Sequence, residues 1–323
     1  MKTERVGIIG LDKVSGSIGL ALQEADLGLE IIGADRDRGL AGEAKRIGVV
    51  DKTSGNPLDV ARVSDILILS VPVAQQAEMF QIIGDDVQEH TLVVDLSDLK
   101  GPGLKLATAH LRQGHYVGVS PVLAAEALAD GRSDLSAARA DLFRDSVFCI
   151  MASGTLDEDA VQTTVNLGRI LGATPFFLDA YEYDSLVKGV ETIPGLVSAA
   201  MFRAITRASG WRDMLRFAGS TFSESTAGLA NRNLADLAMH DKAATLRWLD
   251  AVLAELEELR RWLMDEDPER LALILEEMAQ ERERWLAERR KNNWIGVESP
   301  EEISSFSIAG QLFGFGSRKK KKE

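Results

Sequence analysis

The sequence predicts an α/β domain with a mostly parallel sheet, followed by an all-helical domain. Across the first half, short apolar runs alternate with helical patterns, which is how successive βαβ units read in sequence. Beyond Asp179 the strand pattern stops and nearly everything that follows has helical periodicity. Near the start, Val6-Gly7-Ile8-Ile9-Gly10-Leu11-Asp12-Lys13-Val14-Ser15-Gly16 has the layout of a strand, a tight turn and a helix start. Together these place a Rossmann-type domain over residues 1–178, a helical domain over 179–295, and a flexible tail with a basic end over 296–323.

The strands are expected at Arg5 to Ile9, Glu30 to Ala34, Asp65 to Val71, Thr91 to Asp95 and Tyr116 to Val119. Val147 to Met151 and Pro175 to Leu178 extend the sheet around a helix from Leu156 to Leu171, whose start carries Asp157, Glu158 and Asp159 as favourable charge at a helix N-terminus. In the second half, Leu246, Leu249, Leu253, Leu256, Leu259 and Leu263 recur every three or four residues and form one apolar stripe on a long helix. Asp267-Pro268 supplies an N-cap and first-turn proline for another helix, which carries Leu271, Leu275, Met278, Trp285 and Leu286. Such stripes need cover. An intramolecular bundle and a homodimer interface both provide it; helices this long at a chain's end favour the dimer.

At 323 residues with 45% hydrophobic content, the chain is large enough to bury a substantial core. A formal net charge of -13 argues against a nucleic-acid surface, which needs clustered Lys and Arg. The exception, Arg318 to Lys322, reads as a solvated tail. No apolar run is long enough to span a membrane, and the lone Cys149 lies in the apolar run Val147-Phe148-Cys149-Ile150 as an inert thiol. These features suggest a cytoplasmic protein. The scattered histidines suggest no metal site.

A dinucleotide-binding loop wants G-x-G-x-x-G, the second glycine letting the backbone approach the pyrophosphate and the third allowing close helix packing. This chain offers Gly10, Asp12 and Ser15, so only the first position is kept. A carboxylate at Asp12 opposes the helix N-terminus that such folds use to hold phosphate. Asp35 ends the second strand, where an acid binds the ribose 2′-hydroxyl of NAD and disfavours the 2′-phosphate of NADP; a strand-end turn is its bland reading. The run ending Ser70-Val71-Pro72-Val73 puts Val71 and Pro72 at the carboxyl edge of a buried strand, where ligands sit in open α/β sheets.

With these segments in order, the chain resembles the prephenate dehydrogenase family, which includes arogenate dehydrogenases. The likeness runs through Ser70-Val71-Pro72-Val73, Asp95-Leu96-Ser97-Asp98-Leu99-Lys100, Ser120-Pro121-Val122-Leu123-Ala124-Ala125-Glu126, Asp179-Ala180-Tyr181-Glu182-Tyr183-Asp184 and Phe217-Ala218-Gly219-Ser220-Thr221-Phe222. It implies a nucleotide-binding domain, a helical dimerisation domain, and NAD(P)-dependent oxidative decarboxylation in tyrosine biosynthesis. The family's general base, a histidine, aligns with Ser120, and a neutral alcohol is a poor proton acceptor. The family's serine near the nicotinamide aligns with Asp98. Two histidines at the start of the helical domain align with Thr192 and Gly195, and the arginine that grips a substrate carboxylate aligns with Ala227. A guanidinium is the natural receptor for that carboxylate, and alanine cannot replace it.

Among residues that survive, Lys100 either lies at the ligand-bearing edge or is a solvated lysine beside Gly101-Pro102-Gly103. Glu126 either gates a substrate entrance or caps a helix. Lys188 reads as a residue in a polar helix pattern, and His240 is the histidine nearest the expected cleft. The phosphate loop, the base, the serine and the carboxylate receptor have changed together while turns and core runs persist. Loss or alteration of the family reaction is therefore the expectation, since function depends on particular residues and not on the fold. Two concrete forms remain: an active NAD(P)-dependent oxidoreductase on prephenate or another small cyclic acid, and a non-catalytic dimeric binding or regulatory protein.

Overall fold

The computed structural model describes residues 4–128, 130–153 and 156–292; the expected tail over 296–323 lies outside them. Eight strands form one sheet: β1 Arg5–Ile9, β2 Glu30–Ala34, β3 Lys52–Ser54, β4 Ile66–Leu69, β5 Leu92–Asp95, β6 His115–Pro121, β7 Val147–Ala152 and β8 Thr174–Phe177. Their order across the sheet is β3-β2-β1-β4-β5-β6-β7-β8. Every pairing is parallel except β6 with β7, where Ser120 lies opposite Cys149. The edge strand β3 was not expected, because Lys52-Thr53-Ser54 is short, polar and without alternation.

The central strands read as unbroken apolar runs because both of their faces are covered. Along β4 the side chains alternate between two cores: Ile68 packs with Val6, Ile18, Val94 and Phe148, while Leu67 and Leu69 pack with Phe80 and Val93 on the other face. Helices α1 Lys13–Glu24, α2 Arg38–Arg46, α3 Pro57–Val63, α4 Val73–Ile83, α5 Lys100–His110 and α6 Glu158–Ile170 cover the sheet. Strand order reverses between β1 and β4, so a crevice opens at their carboxyl ends, where ligands bind in folds of this kind.

After β8 the chain is helical, with α7 Ala180–Val187, a π-helical turn Lys188–Thr192, α8 Ile193–Thr206, α9 Trp211–Met214, α10 Ser220–Ser225, α11 Leu234–His240, α12 Lys242–Met264 and α13 Pro268–Arg290. Asp157, Asp179 and Asp267 cap α6, α7 and α13 by accepting backbone N–H bonds, and Pro268 occupies the first turn of α13. Helix α12 buries only Ala244 and Thr245 and α13 buries nothing, leaving Leu246, Leu253, Leu256, Leu263, Leu275 and Trp285 exposed in the single chain. Gly195 in α8 packs closely against α11 and the turn before it: a Cβ there would lie 2.8 Å from Leu234 Cδ1, and one on Gly228 would lie 2.8 Å from Gly195 Cα. Among the described residues no helix is long and apolar enough to cross a membrane.

The polar-surface reading of Lys188 is corrected. Its side chain is fully buried, and its ammonium donates to Leu237 O at 2.8 Å, tying the π-helical turn to α11. Lys100 is buried as well, which removes the solvated alternative.

Candidate functional site

The crevice between β1 and β4 has two ends with different chemistry. At the outer end lies a pocket of about 480 Å³, within the range of small-molecule sites, whose lining includes Ile9, Gly10, Asp35, Val71, Pro72 and Met79. Asp35 is held by two amides, with Leu11 N–H donating to Oδ2 and Asp37 N–H to Oδ1, both at 2.8 Å. Each oxygen keeps a second lone pair for a ligand hydroxyl. Gly10 has φ +88, and a Cβ there would fall 1.9 Å from the Ser70 carbonyl oxygen, so the turn admits only glycine.

The inner end is where a pyrophosphate would meet the first turn of α1. Asp12 occupies it as the N-cap. Its Oδ1 accepts from Ser15 N–H at 2.9 Å, while Ser15 Oγ accepts from Asp12 N–H at 3.0 Å, a reciprocal capping box. Ser70 Oγ donates to Asp12 Oδ2 at 2.6 Å. Lys13 N–H donates to Ser133 O at 3.2 Å, and the buried Lys13 ammonium donates to Asp130 O at 3.0 Å. The amides a phosphate would need at Leu11, Lys13 and Ser15 already serve the protein itself. The nucleoside end of the crevice is therefore open, while at the first turn of α1 the protein's own Asp12 carboxylate stands as the cap.

Farther along the sheet edge, β6 and α7 bring Ser120 and Tyr183 together, the phenol donating to Ser120 Oγ at 2.9 Å. Burial pushes the Tyr183 phenol far above its usual value, outweighing the opposing effect of that bond. Lys100 lies beneath, its ammonium 5.7 Å from the Tyr183 ring centroid and bonded to Asp95 O at 3.1 Å and Ser97 O at 2.5 Å. Burial lowers its pKa, and Asp95, Asp98 and Asp184 oppose that shift. Asp95 is itself buried and accepts from Gln76 Nε2 at 2.9 Å, Tyr116 OH at 2.8 Å and Ser97 N–H at 2.8 Å.

The walls of this second site are acidic. Asp98 is exposed and accepts from Asn233 Nδ2 at 3.3 Å, which joins the start of α5 to the helical region. Glu191 also reaches solvent, yet desolvation by the cleft walls and the neighbouring Asp98 raise its pKa while Arg289 opposes them. Arg289, half-buried at the end of α13, donates to Leu123 O at 2.9 Å, and burial lowers its pKa. Of the positions selected from sequence, Ser120, Asp98 and Lys100 share this cleft. Thr192 is buried in the π-helical turn, Gly195 serves the close crossing with Gly228, Ala227 is exposed, and Glu126 is exposed on a single 3-10 turn at Ala125–Ala127. Tyr183, Glu191 and Arg289 were missed as site residues; they come from segments distant in sequence, and the one signal was that Tyr183 lies in the Asp179–Asp184 segment that resembles the family.

At Cys149, burial pushes the thiol up to about 11, in keeping with an inert thiol. A rise of two units over an ordinary thiol leaves roughly 100-fold less thiolate at pH 8. Iodoacetamide should therefore label the native chain about 100-fold more slowly than the urea-unfolded chain, and equal rates would show that the thiol is accessible and ionised.

A doubly wound parallel sheet with a nucleotide crevice, meeting an all-helical region at its carboxyl edge, defines a two-domain nucleotide-binding scaffold of the dehydrogenase class. Residues 18–174 match the family model of the prephenate dehydrogenase nucleotide-binding domain, and residues 179–277 match that of the prephenate dehydrogenase dimerization domain. The chain belongs to the prephenate dehydrogenase family, as a divergent member. It is 24% identical to prephenate dehydrogenase from Bacillus subtilis over 269 residues, covering 82% of this chain and 71% of that one. Cyclohexadienyl dehydrogenase from Zymomonas mobilis is 19% identical over 271 residues, covering 82% of this chain and 90% of that one. The structure of Aquifex aeolicus prephenate dehydrogenase in complex with hydroxyphenyl propionate and NAD+ superposes with a TM-score of 0.74 at 18% identity, over 88% of this chain and 99% of that one.

Proposed function

We propose that this chain is a homodimeric, non-catalytic binding protein that has lost the oxidative decarboxylation of its family. The observation that carries this reading is the partner of Ser120: at the family's base position stands an alcohol whose Oγ accepts from a neutral, buried phenol. Neither group takes up a proton near pH 7, and a general base typically contributes a factor of about 10² to 10⁴. Two further features support it. Asp98 and Glu191 line the cleft where a dianionic substrate would have to bind, and like charges there oppose it. Ala227, at the carboxylate-receptor position, offers no cation.

The division into residues 1–178 and 179–295 follows the change from strands to helices. The apolar stripes of α12 and α13 are the surface this reading assigns to the dimer, and a cytoplasmic location agrees with the free thiol. Of the two dinucleotides, Asp35 favours NAD, because a carboxylate repels a 2′-phosphate.

Purified protein incubated with prephenate or arogenate and either NAD+ or NADP+ should form no reduced nucleotide above a protein-free control. Ser120→His alone should not restore turnover, because the cleft stays acidic. Turnover by the native chain, abolished by substituting a cleft residue, would overturn the reading. The second reading, an NAD(P)-dependent oxidoreductase on prephenate or another small cyclic acid, is favoured by Arg289, whose guanidinium at the cleft is suited to a carboxylate. That reading requires a turnover that Arg289→Met removes.

A further inference from the structure

We infer that the crevice between β1 and β4 binds an unphosphorylated nucleoside whose 5′ substituent is neutral or cationic, with Asp12 as the residue that rejects phosphate. The inference goes beyond the proposed loss of catalysis and does not depend on it, since it concerns equilibrium binding at the other end of the sheet edge.

Three observations combine. The pocket of about 480 Å³ keeps what a nucleoside needs: apolar walls for a base, among them Val71, Pro72 and Met79, and Asp35 with free lone pairs for a ribose diol. The position where the 5′ group would emerge is bounded by Gly10 and Ser70, and Ser70 is bonded to the Asp12 carboxylate at 2.6 Å. A helix N-terminus favours an anion because it presents unpaired N–H groups and a positive dipole end. Here Asp12 supplies that anion permanently: it caps Ser15 N–H at 2.9 Å, and Ser133 O takes Lys13 N–H at 3.2 Å. An incoming phosphate would meet like charge, and the amides of Leu11, Lys13 and Ser15 are already bonded within the chain. The opposite charge would be attracted, because the carboxylate behind Ser70 adds to Asp35 on the same rim.

The test is a charge series at the 5′ position, titrated by calorimetry on the native chain: 5′-amino-5′-deoxyadenosine, adenosine, adenosine 5′-monophosphate and ADP-ribose. The expected order of affinity is amine, then adenosine, then the two phosphates, with a step of about tenfold for each unit of charge near a partly screened carboxylate. Asp12→Asn keeps a capping oxygen and removes the charge, so it should bring the amine and the monophosphate at least tenfold closer together while leaving adenosine unchanged. Asp35→Ala should weaken adenosine at least tenfold, because the ribose diol loses its acceptor. The proposal is overturned if the monophosphate or ADP-ribose binds the native chain as tightly as the amine, if adenosine does not bind at millimolar concentration, or if Asp12→Asn leaves the ratios as they were. No prephenate is present in any arm, so failure here is distinct from any turnover found in the catalytic assay.

Discussion

Asp184→Ala should lower stability by about 3 to 5 kcal/mol. Helix α5 begins at Lys100 after Leu99, which has no side-chain cap to offer. The first two amides of α5 are instead bound by Asp184 from α7: Lys100 N–H donates to Oδ1 at 2.6 Å and Gly101 N–H to Oδ2 at 2.9 Å. A carboxylate from the helical region thus caps a helix of the sheet region and complements its dipole. Alanine would leave two buried donors unsatisfied, each costing about 1 to 3 kcal/mol, and would remove a negative charge facing the Lys100 ammonium.

Thermal unfolding should shift down by roughly 10 °C, at about 2–4 °C for each kcal/mol in a chain of this size. A shift under about 2 °C would mean the contact between the two regions is not made. Burial raises the Asp184 carboxyl above its ordinary range, against the lowering effect of its two amide bonds. Between the ordinary and the raised value the native chain holds more protons than the unfolded chain, so this contribution to stability is complete below the ordinary value and is lost as pH rises through the raised one. Asp184→Asn should remove that slope from urea midpoints measured as pH rises from the ordinary carboxylate range.

What could be read from the chain was local, and what could not was the joining of distant segments. The caps at Asp157 and Asp267 follow from neighbouring residues, and β4 follows from a continuous apolar run. Asp12 marked the loop as altered because a fixed spacing was broken. Its bond to Ser70, 58 positions away, gives the alteration a structural purpose that no spacing contains. The same limit hid the contact of Tyr183 with Ser120 across 63 positions and of Arg289 with Leu123 across 166. Lys188 was misread for a related reason: a lysine in a helical pattern is ordinarily solvated, and only the packing of α11 over the π-helical turn buries it.

The altered positions also share a direction. Where a dinucleotide fold presents bare amides to a phosphate, this chain presents Asp12. Where its family reads a carboxylated substrate, the cleft presents Asp98 and Glu191, and Ala227 stands at the receptor position. Both positions carry carboxylates, with Arg289 the cation facing Glu191 at the second. Gly10, the buried strands and the capping aspartates serve the fold.

Lys100→Met provides the sharpest test of whether a residue that survives from the family is retained for structure. A solvated lysine beside a Gly-Pro-Gly turn would cost within about 0.5 kcal/mol on substitution. The observed side chain is 1% exposed, donates to Asp95 O and Ser97 O, and faces the carboxylates of Asp95, Asp98 and Asp184. Methionine fills a similar volume but leaves two buried carbonyls without a donor and the buried carboxylates without their cation. Breaking a buried charge arrangement by removing one partner typically costs about 3–5 kcal/mol, so we expect a comparable loss in the urea midpoint. Lys105→Met, on the exposed face of the same helix, is the control and should move stability by less than about 1 kcal/mol, because its ammonium over Tyr181 at 5.4 Å is a surface contact. Equal small effects at the two positions would put Lys100 back on the surface. A large loss at Lys100 alone would show that the floor of the cleft rests on a buried cation whether or not any chemistry is performed above it.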